Sequence, residues 1–207
     1  MAGDLPLDRE TLRRKLRDTC APVAGVLLSA DSASPVGPRA GTAADVPAAV
    51  LIGLVAHGAD PGVILTERTA HLANHAAEIS FPGGKVEPTD DGPEAAALRE
   101  AFEEIGLDPG RVELLGCLPA HRTISGFRVH PFVGWIEPPV EFVLDTHEVA
   151  DIFEVPLRFV LDPVNHRREA LVVGGVRHEF YVIAYGRRRI WGATAGMLVT
   201  LARVLSG

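Results

Sequence analysis

Cysteine is almost absent from this 207-residue chain, which has only Cys20 and Cys117. Two cysteines build neither a disulfide framework nor a thiolate metal site, so a reducing, cytoplasmic setting is the expectation. Positive charge is also scarce. Twenty Lys and Arg face 27 Asp and Glu, for a net charge of −7 and a pI of about 5.6. Such a chain is poorly suited to wrapping nucleic acid, and no nucleic-acid partner is expected. It can still hold an anionic ligand where a metal ion or a local basic patch supplies the charge. No apolar run approaches the ~18–20 residues of a membrane span, and the start, MAGDLPLDRETLRRKLRDTC, is too charged for a signal peptide. What remains is a composition of 47% hydrophobic and 23% charged residues, that of a globular domain with a proper core.

Asp8 to Cys20 reads as an amphipathic helix with Asp8 as N-cap and Leu12, Leu16 and Cys20 along one stripe. That stripe is expected either to pack on the domain or to form a homodimer. The Ala/Ser/Pro/Gly-rich stretch from Ala21 to Pro47 reads as an irregular connector. Ala48–Gly58 and Gly62–Arg68 read as strands joined in a hairpin by the turn ADPG. Further strands are expected at Val112–Leu118, Phe127–Ile136 and Ala150–Leu157. A hairpin should turn at Gly174–Gly175, and a terminal helix should run from Gly192 to Leu205. Strands flanking one central helix, with a helix at the end, argue for a mixed α/β domain.

The central helix starts at Asp91 or Gly92, carries Pro93 in its first turn and stops at Gly106. At 100° per residue, Leu98, Phe102 and Ile105 share a face that is expected to point to the core. Glu100, Glu103 and Glu104 fall on the other side. Like charges at i, i+4 cost roughly 0.2–0.5 kcal/mol. Carboxylates at a helix C-terminus also oppose the macrodipole, by ~0.3–1 kcal/mol each at a surface. A divalent cation would reverse the sign of both effects. Taken alone, a Glu-rich helix is more often a solvated acidic face than a metal site, so spacing does not settle the matter and the flanking residues decide.

The stretch from Gly84 through Asp90 to REAFEEIGL resembles the signature of the Nudix hydrolases, Gly-x5-Glu-x7-Arg-Glu-U-x-Glu-Glu-x-Gly-U with U aliphatic. Gly84, Arg99, Glu100, Ala101, Glu103, Glu104, Gly106 and Leu107 fill matching positions. Asp90 stands for the first Glu, and eight residues rather than seven separate it from Arg99. Both departures resemble the coenzyme A pyrophosphatase subfamily. So do LTERT with Arg68, His75 seven residues on, FPGG at Phe81–Gly84, and farther along SGFRVHPFVGWI and IWGATAG. Ala77 and Glu78 replace the subfamily's usual Gly and Gln, and Ala73 a common basic residue.

The resemblance implies a Nudix α/β/α sandwich, with a mixed, curved sheet between the signature helix and the C-terminal helix. It divides the chain into a helix and connector (1–45) and a hydrolase domain (46–207). It also implies Mg²⁺- or Mn²⁺-dependent hydrolysis of the diphosphate of coenzyme A or acyl-CoA, giving 3′,5′-ADP and 4′-phosphopantetheine or its acyl form. The alternatives are another nucleotide substrate (ADP-ribose, a dinucleotide or a nucleoside triphosphate) or a non-catalytic nucleotide-binding module. Glu100, Glu103 and Glu104 would be the metal ligands, with Glu103 alternatively the base on water, and Arg99 would hold the loop–helix geometry. Arg68, His75, Gly83 and Gly84 would meet substrate, and Asp90 and Glu148 would be auxiliary acids. Phe127 and Trp191 are expected in the core, and the basic clusters His166–Arg168 and Arg187–Arg189 at solvated turns. His71 and His75 have H-x3-H spacing but lack Cys partners, which argues against zinc.

Overall fold

A computed structural model of the chain describes residues 6–17, 19, 45–69, 78–123, 125–173 and 176–206. Cys20, most of the connector, His71, His75 and the Gly174–Gly175 turn lie outside them.

The centre is one long parallel pair, β1 (Val46–Val55) against β7 (Phe127–Ile136), in register from Val46↔Phe127 to Val55↔Ile136. The expected hairpin forms between β1 and β2 (Gly62–Arg68), with Leu54 opposite Val63. β3 (Ile79–Ser80) and β8 (Val149–Pro156) pair with β2, β4 (Gly83–Lys85) with β1, and β5 (Val112–Cys117) and β6 (His121–Arg122) with β7, all antiparallel. The result is a mixed eight-stranded sheet. Beside it lies a sheet not anticipated as separate, three-stranded and antiparallel, made of β9 (Arg167–Val173), β10 (Val176–Tyr185) and β11 (Arg188–Trp191).

The period-2 alternation of β1 divides the core in two. Ala48, Ile52 and Leu54 face one hydrophobic cluster, while Ala49, Leu51 and Val55 face the other. The first cluster is covered by α1 (Arg9–Leu16), α3 (Leu157–Leu161), α4 (Gly192–Ser206) and the second sheet. Asp8 caps α1, accepting from Thr11 N–H at 2.9 Å, and Leu7, Leu12 and Leu16 are buried in the chain's own core. The second cluster is covered by α2 (Pro93–Ile105). Together these layers make an α/β fold of the sandwich type.

α2 turns inward a face that overlaps the expected one only in part. Ile105 is buried and Leu98 packs partly buried against the second cluster, but Phe102 is 55% exposed, and Ala96, Ala97, Ala101 and Glu104 are buried instead. Alanines let the helix axis come close to β1 and β4, and Phe102 is left toward the outer side. The cap is Gly92, without a side-chain hydrogen bond. Gly106 ends the helix in the left-handed conformation at φ 67°, its N–H donating to the Phe102 carbonyl at 2.9 Å.

The packing contrast is testable by urea unfolding. Ala101→Leu should overfill the α2–β1 interface and cost roughly 1–3 kcal/mol. Phe102→Ala should cost well under ~1 kcal/mol, because its ring is largely in water. The reverse ranking would restore the Leu98–Phe102–Ile105 face as the buried one.

Candidate active site

The turned helix carries its carboxylates against β4. Gly84 lies against the Glu100 carboxylate, since a Cβ there would stand 2.3 Å from Glu100 Oε1 and would force that side chain to swing away. A Cβ on Gly83 would meet the Ala49 carbonyl oxygen at 2.4 Å. The Gly-Gly pair therefore lets β4 lie between β1 and the acids of α2. Gly83 N–H, facing the helix, donates to Glu104 Oε2 at 3.3 Å.

Glu104 is 4% exposed. Arg68, at the end of β2, places its guanidinium 3.6 Å from Glu104 on one side and 3.6 Å from Glu148 on the other. Glu148 arrives on the loop after β7. That loop is tied to the end of α2 by Val143 N–H on the Ile105 carbonyl and Asp145 N–H on the Glu104 carbonyl, both 2.9 Å. Burial pushes the Glu104 carboxyl up to about 8, partly opposed by Arg68 and the Gly83 N–H and reinforced by Glu100 and Glu148. Glu100 is also raised, chiefly by burial, with Glu103 and Glu148 adding to the effect and Arg99 opposing it.

Arg99 organises the other side. Its Nε and Nη2 take Asp90 in a bidentate pair at 2.9 and 3.1 Å, Nη1 reaches Glu100 at 3.1 Å and Glu103 at 2.9 Å, and Nη2 also donates to the Lys85 carbonyl at 3.1 Å. The guanidinium holds Asp90 below the usual carboxylate range, helped by the Glu87 N–H that Asp90 caps at 2.7 Å. Asp90 thus binds the loop to the helix.

The structure brings Glu100, Glu104, Glu148, Arg68, Gly83 and Gly84 to one place. Glu103 is different: its side chain is 56% exposed and paired with Arg99. Among the described residues no three side chains form a ready metal cage. The donor set still fits a hard divalent cation. Glu100 and Glu104 are carboxylates whose ionisation burial and neighbouring acids oppose, a cost that Mg²⁺ or Mn²⁺ would relieve, and Mg²⁺ commonly uses one or two carboxylates with substrate phosphates completing its shell.

A cleft of about 660 Å³ opens from Arg68, Gly83 and Gly84 toward Lys85, Phe127 and Thr194. Phe127, expected in the core, packs on it only partly and forms cleft wall. Lys85 and Thr194 were not singled out from sequence. Lys85 directly follows the Gly-Gly pair, and Thr194 lies within IWGATAG, and neither position carries a spacing signal of its own.

Glu104 gives the site a pH signature. Its proton is held more tightly in the folded chain than in an unfolded one, where the carboxyl has its ordinary value near 4.5. In chelator, stability should therefore be greatest below about pH 4.5 as far as this group is concerned, and should fall as pH rises toward about 8. Glu104→Gln should flatten that decline and melt above wild type near pH 8. Mg²⁺ or Mn²⁺ should raise the melting temperature of wild type more than that of the variant. Thermal melts near pH 5 and pH 8 check this, and identical slopes for the two proteins would contradict it.

The NUDIX domain family model matches residues 46–171. Over 155 residues the chain is 39% identical to the uncharacterized Nudix hydrolase NudL of Escherichia coli (strain K12), covering 75% of this chain and 80% of the relative. NudL of Escherichia coli O7:K1 gives the same figures. Among solved structures, a C. elegans Ap4A hydrolase binary complex matches at 21% identity and TM-score 0.46, over 55% of this chain and 81% of that one. With the family model spanning more than half of the sequence and the signature residues gathered at one site, the chain belongs to the Nudix hydrolase family.

Proposed function

We propose that the protein hydrolyses the diphosphate linkage of coenzyme A or acyl-CoA with Mg²⁺ or Mn²⁺, releasing 3′,5′-ADP and 4′-phosphopantetheine or its acyl form. One observation carries the reading. The separate segments that resemble the coenzyme A pyrophosphatase subfamily all contribute to a single cleft: Arg68 from LTERT, Phe81, Gly83 and Gly84 from FPGG, Phe127 from SGFRVHPFVGWI and Thr194 from IWGATAG.

In this reading water attacks one phosphorus, the bridging P–O bond breaks and the second phosphate leaves. A bound divalent ion supplies charge neutralisation and a more acidic water. Glu100 and Glu104 would hold it. Arg99 fixes the angle between the Asp90 loop and α2, and so the direction of Glu100. Arg68 steadies Glu104 and Glu148, and Glu148 would serve as an auxiliary base, with Glu103 the other candidate. Gly83 and Gly84 let substrate phosphates approach the backbone. Arg68 is already committed to two carboxylates, so exposed Lys85 is the better candidate for the adenosine 3′-phosphate.

A substrate panel with product identification tests the assignment. Coenzyme A should be cleaved more efficiently than dephospho-coenzyme A by about 10- to 100-fold, the worth of one charge-assisted contact of roughly 1.5–3 kcal/mol. Lys85→Ala should narrow that ratio. Arg68→Ala should slow both substrates and leave the ratio unchanged. Glu104→Gln should lower kcat by about 10²-fold or more, roughly 3 kcal/mol. Preference for ADP-ribose, or undiminished turnover in excess chelator, would overturn the reading.

A further inference from the structure

Away from the cleft, two arginines meet on one phenol. Tyr181 of β10 pairs across the strands with Arg168 of β9, and its side chain is 5% exposed in the core beneath α4. The Tyr181 hydroxyl oxygen accepts from Arg168 Nη2 at 2.9 Å and from Arg203 Nη2 of α4 at 2.7 Å. The two guanidinium carbons lie 5.2 and 5.7 Å from the Tyr181 ring centroid. Two accepted hydrogen bonds occupy both lone pairs of the oxygen. Its own proton has no acceptor among the described residues.

Neither arginine has a carboxylate within ion-pair distance among those residues. The neighbouring acids are engaged elsewhere, Glu179 with Arg177 at 3.0 Å and Glu169 with Arg189 at 2.6 Å. Glu179 acts on Arg168 only at longer range. A single guanidinium would satisfy the phenol. A second adds like-charge repulsion in a chain whose net charge is −7, and because both arginines are exposed their remaining N–H groups face solvent, where an anion can reach them.

We infer that Arg168, Tyr181 and Arg203 form a binding site for a phosphate group, separate from the catalytic cleft. Donors from two strands' side chains and a helix converge from different directions, which suits a tetrahedral oxyanion better than a planar carboxylate. Two positive charges match a phosphate dianion, whereas a carboxylate would leave one of them uncompensated. Thr194, where α4 borders the cleft, lies nine residues from Arg203, about 13 Å along the helix axis. The two sites are therefore distinct but joined by one rigid element.

Titration calorimetry of the full chain with inorganic phosphate, in chelator, tests the inference. Wild type should show saturable binding that Arg168→Gln/Arg203→Gln weakens by about 10- to 100-fold. Tyr181→Phe keeps the ring in place and should weaken binding by several-fold, so the test survives if the double variant folds poorly. Arg68→Gln should leave this binding intact. Equal affinity in wild type and in the folded variants would overturn the site, as would loss of binding in Arg68→Gln, which would locate the phosphate in the catalytic cleft. Acetate binding as tight as phosphate would overturn the choice of phosphate.

Discussion

The close approach of α2 to β4 is the constraint on which the active site depends. Glu104 is buried with its carboxylate on the Gly83 N–H because Ala97 and Ala101 bring the helix near the sheet and because Gly83, which has no Cβ to meet the Ala49 carbonyl, lets β4 lie close on β1. Larger residues on either side would push the helix outward, and Glu104 would become another solvated acid. Its raised proton affinity, its contact with Arg68 and its place beside Glu148 all follow from this one packing decision.

Two arginines then divide the acids. Arg99 collects Asp90, Glu100 and Glu103 at the helix's outer edge, and Arg68 stands between Glu104 and Glu148 at the cleft. The difference in geometry is informative. Arg99 makes short, bidentate contacts of the kind that hold a loop rigidly. Arg68 lies 3.6 Å from each partner, beyond good hydrogen-bond length, so its interaction is largely charge–charge and more readily exchanged.

Much of this was legible in the sequence, and the failures have physical reasons. β2 and β7 formed where expected, Gly62–Arg68 and Phe127–Ile136, each built on a short apolar run, VIL in one and FVGWI in the other. The two- and three-residue strands Ile79–Ser80, Gly83–Lys85 and His121–Arg122 show no periodicity at that length, since only their partners make them strands. The expected buried face of α2 held at Ile105 and in part at Leu98 but failed at Phe102, because hydrophobicity weights phenylalanine above alanine. The interface selected for small volume instead, and Phe102 ended in solvent. The signature identified the acids but could not separate buried Glu104 from exposed Glu103, because sequence order does not reveal which one meets a glycine N–H. Glu148 lies forty-four residues beyond Glu104 in the chain, and only the folding of the loop after β7 back onto α2 brings it there.

The site therefore stores electrostatic strain that the rest of the domain must hold. Burial raises the cost of ionising Glu100 and Glu104, Glu148 adds to both, and Glu100 adds to that of Glu104. The opposing stabilisation comes from the apolar layers on both sides of the sheet, where β1 alternates Ile52 and Leu54 into one cluster and Leu51 and Val55 into the other. Those layers are remote from the chemistry, yet they keep the carboxylates from separating into water. A divalent cation and a substrate diphosphate are the ligands that would turn this repulsion into attraction, because each supplies the charge that the other needs. An acidic protein could in this way bind an anionic substrate without a basic surface, since buried carboxylates would recruit the positive charge that the phosphates need.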